Sequence, residues 1–299
     1  MVEREEYRRG LLMIGLAVCV LMGMLVPVGA ATISVNWEAD QDPGDGSEWE
    51  DTTGVSDFDW QTGTAVPRIA VNSGTTIGSA FEWDGTDSSQ VALENADSFQ
   101  DLPSGNPTGA SAAFETWFKP RDLVGREVLW ESGGSGDGTS ITLDDATVRF
   151  VVKDRNVTPS IIEATLDQGD IGDFVQVIGS IDLGSDTVEL FVNGATAAVD
   201  TSFTGNDWTG GNGLGLGSIT SSTGPGGNTS NDIGGAGAFN FTGYEEFDGQ
   251  IAIFRFYEES IDSAEAHRAY RNVLPEPSSP ALLLLALCSL ICLHRKTGG

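Results

Sequence analysis

The amino-acid sequence predicts an antiparallel β-sandwich that ends in one short helix. The first observation is the stretch Phe174–Val199, in which apolar and polar residues alternate through three successive runs. Alternation with a period of two is typical of half-buried strands. The second is the turn Asn193-Gly194 between the last two runs, because both central residues of a type I′ turn need positive φ. The third is that the whole chain has many short strand patterns, frequent turn residues and little helical periodicity.

The N-terminal half contains strand patterns separated by turns. Thr32–Trp37 alternates apolar and polar residues and predicts the first strand. Residues 40–54 form an acidic turn region with Trp49 as its one large apolar anchor. Pro67 restricts Phe58–Val71 to an edge strand or a loop, since proline cannot donate to a central ladder. Three further strand patterns follow at Ser79–Trp83, Val91–Leu93 and Ala112–Lys119, the last a central strand stopped by Pro120.

The C-terminal half continues in the same way and closes with the helix. Thr204–Gly237 is dense in Gly, Ser, Thr and Asn, and it predicts a long surface loop around one short strand. Gln250–Tyr257 is apolar on both faces, which is typical of a central strand. Asp262 and Glu265 form a capping-box pattern that starts a helix over Ala264–Asn272. The remaining strand patterns are Glu127–Trp130, Ser140–Leu143, Thr147–Val152, Ile161–Leu166 and Leu214–Leu216. One core is predicted, so we expect one domain over residues 32–274.

Residues 1–31 have the organisation of a secretory signal peptide. Three arginines precede the apolar run Leu11–Val28, and small residues follow it. Cleavage is predicted directly after Ala30 or Ala31. The alternative is an uncleaved membrane anchor, but the run is near the lower limit for spanning a bilayer.

The charge of the body is strongly negative. Of the 44 acidic residues in the chain, all but Glu3, Glu5, Glu6 and Glu276 lie between 32 and 274, which leaves 40 there against ten Lys or Arg. A surface with a net charge of −30 repels nucleic acid and anionic membranes, which excludes nucleic-acid binding. All three cysteines, Cys19, Cys288 and Cys292, lie in the apolar ends, so the body has neither disulfides nor thiol nucleophiles.

The C-terminal tail combines three features in a fixed order. A stiff proline-rich linker is followed by the apolar run Ala281–Leu293 and then by a basic end that contains Arg295 and Lys296. Thirteen apolar residues are short for a bilayer span, and they suit a transient association with the membrane. An ordinary tail anchor is the alternative.

Together with Pro275, Glu276 and Pro277, these features over residues 275–299 resemble the PEP-CTERM sorting signal of bacterial surface proteins. The resemblance implies recognition at Pro-Glu-Pro by an exosortase-type membrane peptidase and removal of the tail. The protein would then be exported to the cell surface, the envelope or an extracellular matrix of a bacterium.

Six motifs of the body occur in the order found in LamG-like, concanavalin A-like jelly-roll domains, and the body resembles that family. They are Phe81–Thr86, Ala113–Pro120, Val188–Gly194, Leu214–Gly217, Phe247–Tyr257 and Ser260–Tyr270. The resemblance covers most of residues 32–274 and implies a jelly-roll sandwich. Phe174 departs from it, because the family often has Trp there.

The same resemblance implies a Ca²⁺ site at the rim of the sandwich. Asp137 follows the glycine-rich loop at the matching position, and Asn231 and Asp232 are the candidate ligands from a second loop. Oxygen ligands of this kind suit Ca²⁺. The chain lacks the family's acidic cluster in that second loop, and a simple Asp-Gly turn at Asp137 is the alternative.

Catalysis is not expected. Glucanases of this fold need paired carboxylates on a central strand. The nearest strings here are Glu38-Ala-Asp40 and Glu48–Asp51, which lie in or beside a Gly/Pro turn region. We therefore expect a non-catalytic binding module that recognises glycans or surface partners through rim loops, with Trp208 as the candidate for stacking on sugars. The alternative for Trp208 is a side chain that packs its own loop onto the body. The alternatives are a structural envelope or matrix protein and, less favoured, a glycoside hydrolase.

Overall fold

The structure is a computed structural model of the chain. It describes residues 31–44, 48–54, 59–62, 66–86, 91–93, 110–134, 137–154, 157–209, 214–218 and 243–275. The predicted signal peptide up to Ala30 and the sorting tail from Glu276 onward lie outside the described residues. Within the described residues there are sixteen strands, one α-helix and a short 3-10 turn at Gln168–Asp170.

The strand bounds match the predicted patterns closely. In chain order the strands are β1 (Ile33–Glu38), β2 (Trp60–Gln61), β3 (Arg68–Ala70), β4 (Ser79–Asp84), β5 (Val91–Leu93), β6 (Ala112–Pro120), β7 (Arg126–Gly134), β8 (Asp137–Asp144), β9 (Thr147–Lys153), β10 (Ser160–Thr165), β11 (Val175–Asp182), β12 (Thr187–Val192), β13 (Ala195–Asp200), β14 (Leu214–Leu216), β15 (Glu245–Glu246) and β16 (Asp248–Tyr257). The helix α1 spans Ser263–Val273.

The strands form two eight-stranded sheets. The first sheet has the order β13-β12-β11-β6-β16-β4-β3, and β1 also pairs with β16. The second sheet has the order β10-β9-β8-β7-β14-β5-β2, and β15 pairs with β7 in parallel. All other pairings between the strands are antiparallel, which confirms the predicted antiparallel β-sandwich with one short helix.

Local sequence signals explain most of these elements. Asn193 and Gly194 have φ of 50° and 73°, so the predicted tight turn between β12 and β13 is present. β3 follows Pro67 and lies at an edge of the first sheet, which agrees with the predicted edge position of this proline-containing segment. The Asp262 side chain accepts hydrogen bonds from the N–H groups of Ala264 and Glu265 at 2.9 Å each, which confirms the capping box.

An aromatic core fills the space between the two sheets. The chain has seven tryptophans, and every one of them is 0% exposed. Trp130 packs on Phe114 with ring centroids 4.4 Å apart, and Phe114 also meets Phe256 at 5.4 Å. Large buried rings of this kind contribute more packing area than any other side chain. No tryptophan is therefore available to a ligand at the surface.

The carboxyl group of Glu127 is buried beside this core. Glu127 on β7 is paired with Leu143, so its side chain projects to the same side as that core residue, and it is only 8% exposed. Its Oε2 atom has no hydrogen-bond partner, although the side chain accepts the backbone N–H of Asp248. Burial raises the pKa of Glu127 to about 8, and the like charges of Asp248, Asp122 and Glu245 add to the increase.

The free energy of unfolding is expected to fall as the pH rises, because Glu127 must lose its proton in the folded protein. The folded protein holds a proton on Glu127 between its ordinary pKa of 4.5 and about 8, whereas the unfolded chain does not. Glu127→Gln imitates the protonated form. Its free energy of unfolding should exceed that of the wild type increasingly from about pH 5 to about pH 8, by at most about 5 kcal/mol at 1.36 kcal/mol per pKa unit.

Urea unfolding of both proteins at several pH values measures this difference. Glu245→Gln, which removes an exposed neighbouring charge and keeps Glu127 intact, should retain the falling pH profile. Parallel profiles for the wild type and Glu127→Gln would contradict the assignment.

Candidate functional site

The outer face of the first sheet is partly covered by helix α1. Tyr270 of the helix stacks on Trp117 of β6, with the ring planes 6° apart and the centroids 5.7 Å apart. A second, smaller apolar cluster forms there and includes Ile77, Ile253 and Val273. The helix thus turns one sheet face that would otherwise meet water into a second buried layer.

Beneath this layer lies a buried polar network centred on Glu115. Its Oε1 accepts hydrogen bonds from Trp117 Nε1 at 2.6 Å and from Gln176 Nε2 at 2.7 Å. Its Oε2 accepts from Arg255 Nη1 at 3.1 Å and from Tyr257 Oη at 2.5 Å. Glu115 is 0% exposed. The donors come from β6, β11 and β16, so the network joins three adjacent strands.

Glu115 and Arg255 are both charged in the stable state of this network. Burial alone would raise the pKa of Glu115, but the charge of Arg255 and the hydrogen bonds from Tyr257, Gln176 and Trp117 bring that pKa below its ordinary value. Burial likewise works against the charge of Arg255, yet Glu115 and Glu38 hold the pKa of its guanidinium above the ordinary value. The pKa of Tyr257 is raised by burial and by the adjacent Glu115 carboxylate.

A cavity of about 260 Å³ opens beside Arg255, and we call it the helix pocket. Its apolar lining is Ile77, Ala252, Ile253 and Val273, and its polar lining is Glu38, Asp40, Gln41, Thr76, Arg255 and Asn272. These residues come from the end of β1, the loop before β4, strand β16 and the last turn of α1. Two sequence-distant ends of the chain therefore form one site, because β1 pairs directly with β16.

Most polar groups of the helix pocket are already held by the protein. Arg255 contacts Glu38 and donates from Nε to Asn36 Oδ1 at 2.9 Å. Asp40 Oδ2 accepts the backbone N–H of Gly78 at 2.8 Å. The Asn272 side chain makes no hydrogen bond with any described residue, and it is exposed. The pocket therefore offers the free amide of Asn272, while its single guanidinium is already paired with Glu38 and Glu115.

The carbonyl of Val273 fixes the helix end against the pocket. It accepts the N–H of Thr76 at 2.8 Å and the Thr76 hydroxyl at 3.0 Å. The last carbonyls of a helix have no partner within the helix, so these bonds satisfy an otherwise exposed acceptor. The part of the pocket wall formed by Thr76 and Val273 is therefore held in place by these two hydrogen bonds.

The structure corrects the predicted role of Trp208. Its ring is 0% exposed and packs edge-on against Phe114 with centroids 5.2 Å apart. Its Nε1 donates to the carbonyl of Ala110 at 2.9 Å, so the indole is buried with its polar atom satisfied. Trp208 holds its loop on the core and cannot stack on a sugar.

The calcium prediction remains a prediction. Asp137 begins β8 opposite Gly134 and is half-buried, but the partners Asn231 and Asp232 lie outside the described residues. Within the described ranges, no group of three or more His, Cys, Asp or Glu side chains is placed to hold a metal ion.

The predicted processing residues are almost all beyond the described ranges. Ala31 and Pro275 are at their borders, and Ala30, Glu276, Pro277, Arg295 and Lys296 lie outside. Between residues 31 and 275, no described helix is both long and apolar enough to cross a membrane.

Neither the Glu115–Arg255 pair nor the helix pocket was predicted from the sequence. The sequence did contain a signal for the pair. Glu115 and Arg255 carry opposite charges, and each interrupts a strongly apolar predicted strand, Ala112–Lys119 or Gln250–Tyr257. Nothing local identified the pocket, since its residues are spread from Glu38 to Val273.

Comparisons with known proteins agree with this architecture. Residues 84–226 match a laminin G family model described as "Concanavalin A-like lectin/glucanases superfamily". No curated protein matches the chain in sequence.

Solved structures of similar fold include several toxin binding domains. The binding domain of botulinum neurotoxin serotype G has a TM-score of 0.56 at 8% identity, covering 80% of this chain and 50% of that chain. The binding domain of Paraclostridial Mosquitocidal Protein 1 has a TM-score of 0.57 at 12% identity, covering 81% and 52%. The serotype D ligand binding domain in complex with N-acetylneuraminic acid has a TM-score of 0.55 at 10% identity, covering 80% and 50%.

The chain thus spans about half the length of the solved structures it matches. At these identities the likeness concerns the fold. The described body is an antiparallel β-sandwich with a concanavalin A-like fold.

Removing the carboxylate of the buried network should destabilise this fold strongly. Glu115→Gln leaves the buried Arg255 charge without its innermost partner, and such a change typically lowers the free energy of unfolding by about 3–5 kcal/mol. Glu189→Gln, on the same face but partly exposed, should change it by less than about 0.5 kcal/mol. Because the pKa of Glu115 is lowered by folding, the stabilisation is present above its ordinary pKa of 4.5 and is lost as the pH falls through the folded value.

Urea unfolding at neutral and acidic pH measures both effects. The deficit of Glu115→Gln should shrink in acid, where the wild-type carboxylate also becomes protonated. Equal stability of the two Gln variants at neutral pH would contradict the role of the network.

Proposed function

We propose that this protein is an exported, non-catalytic binding module that holds a saccharide in the helix pocket. The observation that carries the proposal is a pocket lined by both polar and apolar side chains on a concanavalin A-like sandwich. Sugars present hydroxyl groups at their edges and C–H groups on their faces, and a site of this composition complements both. The similar fold of domains named as ligand-binding or receptor-binding supports a binding role.

The charge of the helix pocket selects the class of sugar. Arg255 is occupied by Glu115 and Glu38, so it has no free fork for a carboxylate of the ligand. Asp40 adds negative charge to the rim. We therefore infer a neutral or amine-bearing saccharide, in contrast to the acidic sugar bound by the serotype D toxin domain.

A glycan array with neutral, amino and acidic sugars tests this proposal. Binding should concentrate on neutral and amino sugars, and Asn272→Ala should weaken it about tenfold because the free amide is lost. Asn206→Ala removes an exposed amide elsewhere on the surface and serves as the matched control. Repeating the array with Ca²⁺ and with a chelator tests the calcium prediction at Asp137.

Two outcomes would overturn the proposal. Release of reducing ends from a bound glycan would contradict a non-catalytic role and favour the glycoside hydrolase alternative. Absence of any sugar binding, together with association driven by divalent cations, would favour the alternative of a structural matrix protein, for which the net charge of −30 in the body is the supporting feature.

Export and sorting form the second part of the proposal. The signal-peptide and PEP-CTERM patterns support a mature chain that begins near Ala31 or Thr32 and ends between Pro275 and Ser278. Intact mass spectrometry of protein from a host with an exosortase-type peptidase should find these ends. A mature mass that still includes Arg295 and Lys296 would refute removal of the tail and favour a membrane-anchored form.

A further inference from the structure

A second cavity, of about 220 Å³, lies on the outer face of the first sheet, and we call it the sheet groove. Gln250 of β16 is paired with Glu82 on one side and with Lys119 on the other. Their side chains therefore stand in one row across β4, β16 and β6. Arg121 and Gly172 also line the groove, and neither they nor the row belong to the helix pocket.

Lys119 brings an uncompensated positive charge to this groove. It is half-buried, and it forms neither an ion pair nor a hydrogen bond with any described residue. The neighbouring Arg121 is different, because its Nε donates to Asp248 at 2.6 Å and its charge is largely offset. A free ammonium group is notable in a body that has 40 acidic residues against ten basic ones.

Gln250 adds an unused hydrogen-bond acceptor beside this charge. Its Oε1 is buried and has no partner, and its Nε2 makes only a long contact of 3.4 Å with Glu82 Oε1. The orientation of the amide is fixed by Glu82, since a carboxylate can accept from nitrogen and would repel the amide oxygen. Buried acceptors without partners are costly, so a donor that reaches this atom would make a hydrogen bond that no described residue supplies.

We propose that the sheet groove binds a hexuronic acid unit of an acidic polysaccharide. The carboxylate of such a sugar pairs with the Lys119 ammonium, and its hydroxyl groups donate to Gln250 Oε1 and to the Glu82 carboxylate. The cavity is large enough for one sugar ring and too small for an extended oligosaccharide. This site goes beyond the proposed function, because its charge preference is opposite to that of the helix pocket.

Titration of ¹⁵N-labelled protein with methyl galacturonoside and with methyl galactoside tests the proposal. The two sugars differ only at C6, which is a carboxylate in the uronoside and a hydroxymethyl group in the galactoside, and salt of about 0.15 M screens the overall repulsion. The uronoside should shift the amide signals around Gln250 and bind at least tenfold more tightly there than the neutral sugar. Lys119→Gln should remove this preference, and Lys119→Arg should keep most of it.

Arg271→Gln is the matched control, since Arg271 is an exposed cation on α1 without an ion pair to a described residue. It changes the net charge by the same amount as Lys119→Gln, and it should leave uronoside binding within about twofold. Equal losses in both variants would mean that only overall charge matters and would overturn the site. So would equal affinity for the two sugars, or no shift near Gln250 at millimolar uronoside.

A failure at this site is distinguishable from a failure of the proposed function. Asn272→Ala should not change uronoside binding to the sheet groove, whereas it should weaken neutral-sugar binding at the helix pocket. Signals near Asn272 and signals near Gln250 therefore report on the two sites separately.

Discussion

The rest of the structure depends on one buried ion pair. Glu115 and Arg255 lie on the two central strands of the first sheet, where Glu115 is 0% exposed and Arg255 is 8% exposed. Buried charges are stable only when they are paired and hydrogen-bonded, and here β1, β6, β11 and β16 together supply the partners of the pair. The arrangement fixes the register between strands that are more than 100 positions apart in sequence. The network also fixes one wall of the helix pocket, because Arg255 lines that pocket.

The elements could be predicted because their signals are local. Period-two alternation, the Asn193-Gly194 turn and the Asp262 cap each depend on neighbouring residues only, and all three are present in the structure. β15 was not predicted, since a two-residue strand has no periodicity. The same limit applies to β2, which consists of Trp60 and Gln61.

The sites could not be predicted to the same extent. The helix pocket combines Glu38, Thr76 and Asn272, and only the pairing of β1 with β16 and the packing of α1 bring these together. Trp208 shows the opposite error: a polar, glycine-rich neighbourhood suggested exposure, but the carbonyl of Ala110 satisfies the indole N–H and allows complete burial. Burial of an amphipathic side chain is decided by one distant acceptor, which a local pattern does not include.

The burial of all seven tryptophans also determines what the intrinsic fluorescence of this protein reports. Six indoles lie in the core between the sheets, so their emission changes when the sandwich unfolds and is insensitive to events at the surface. Trp117 is the exception, because it shares the second apolar cluster with Ile77, Ile253 and Val273, which also line the helix pocket. Trp117 is therefore the tryptophan next to the apolar lining of the helix pocket, and its share of the native emission is the part that occupancy of the pocket would change.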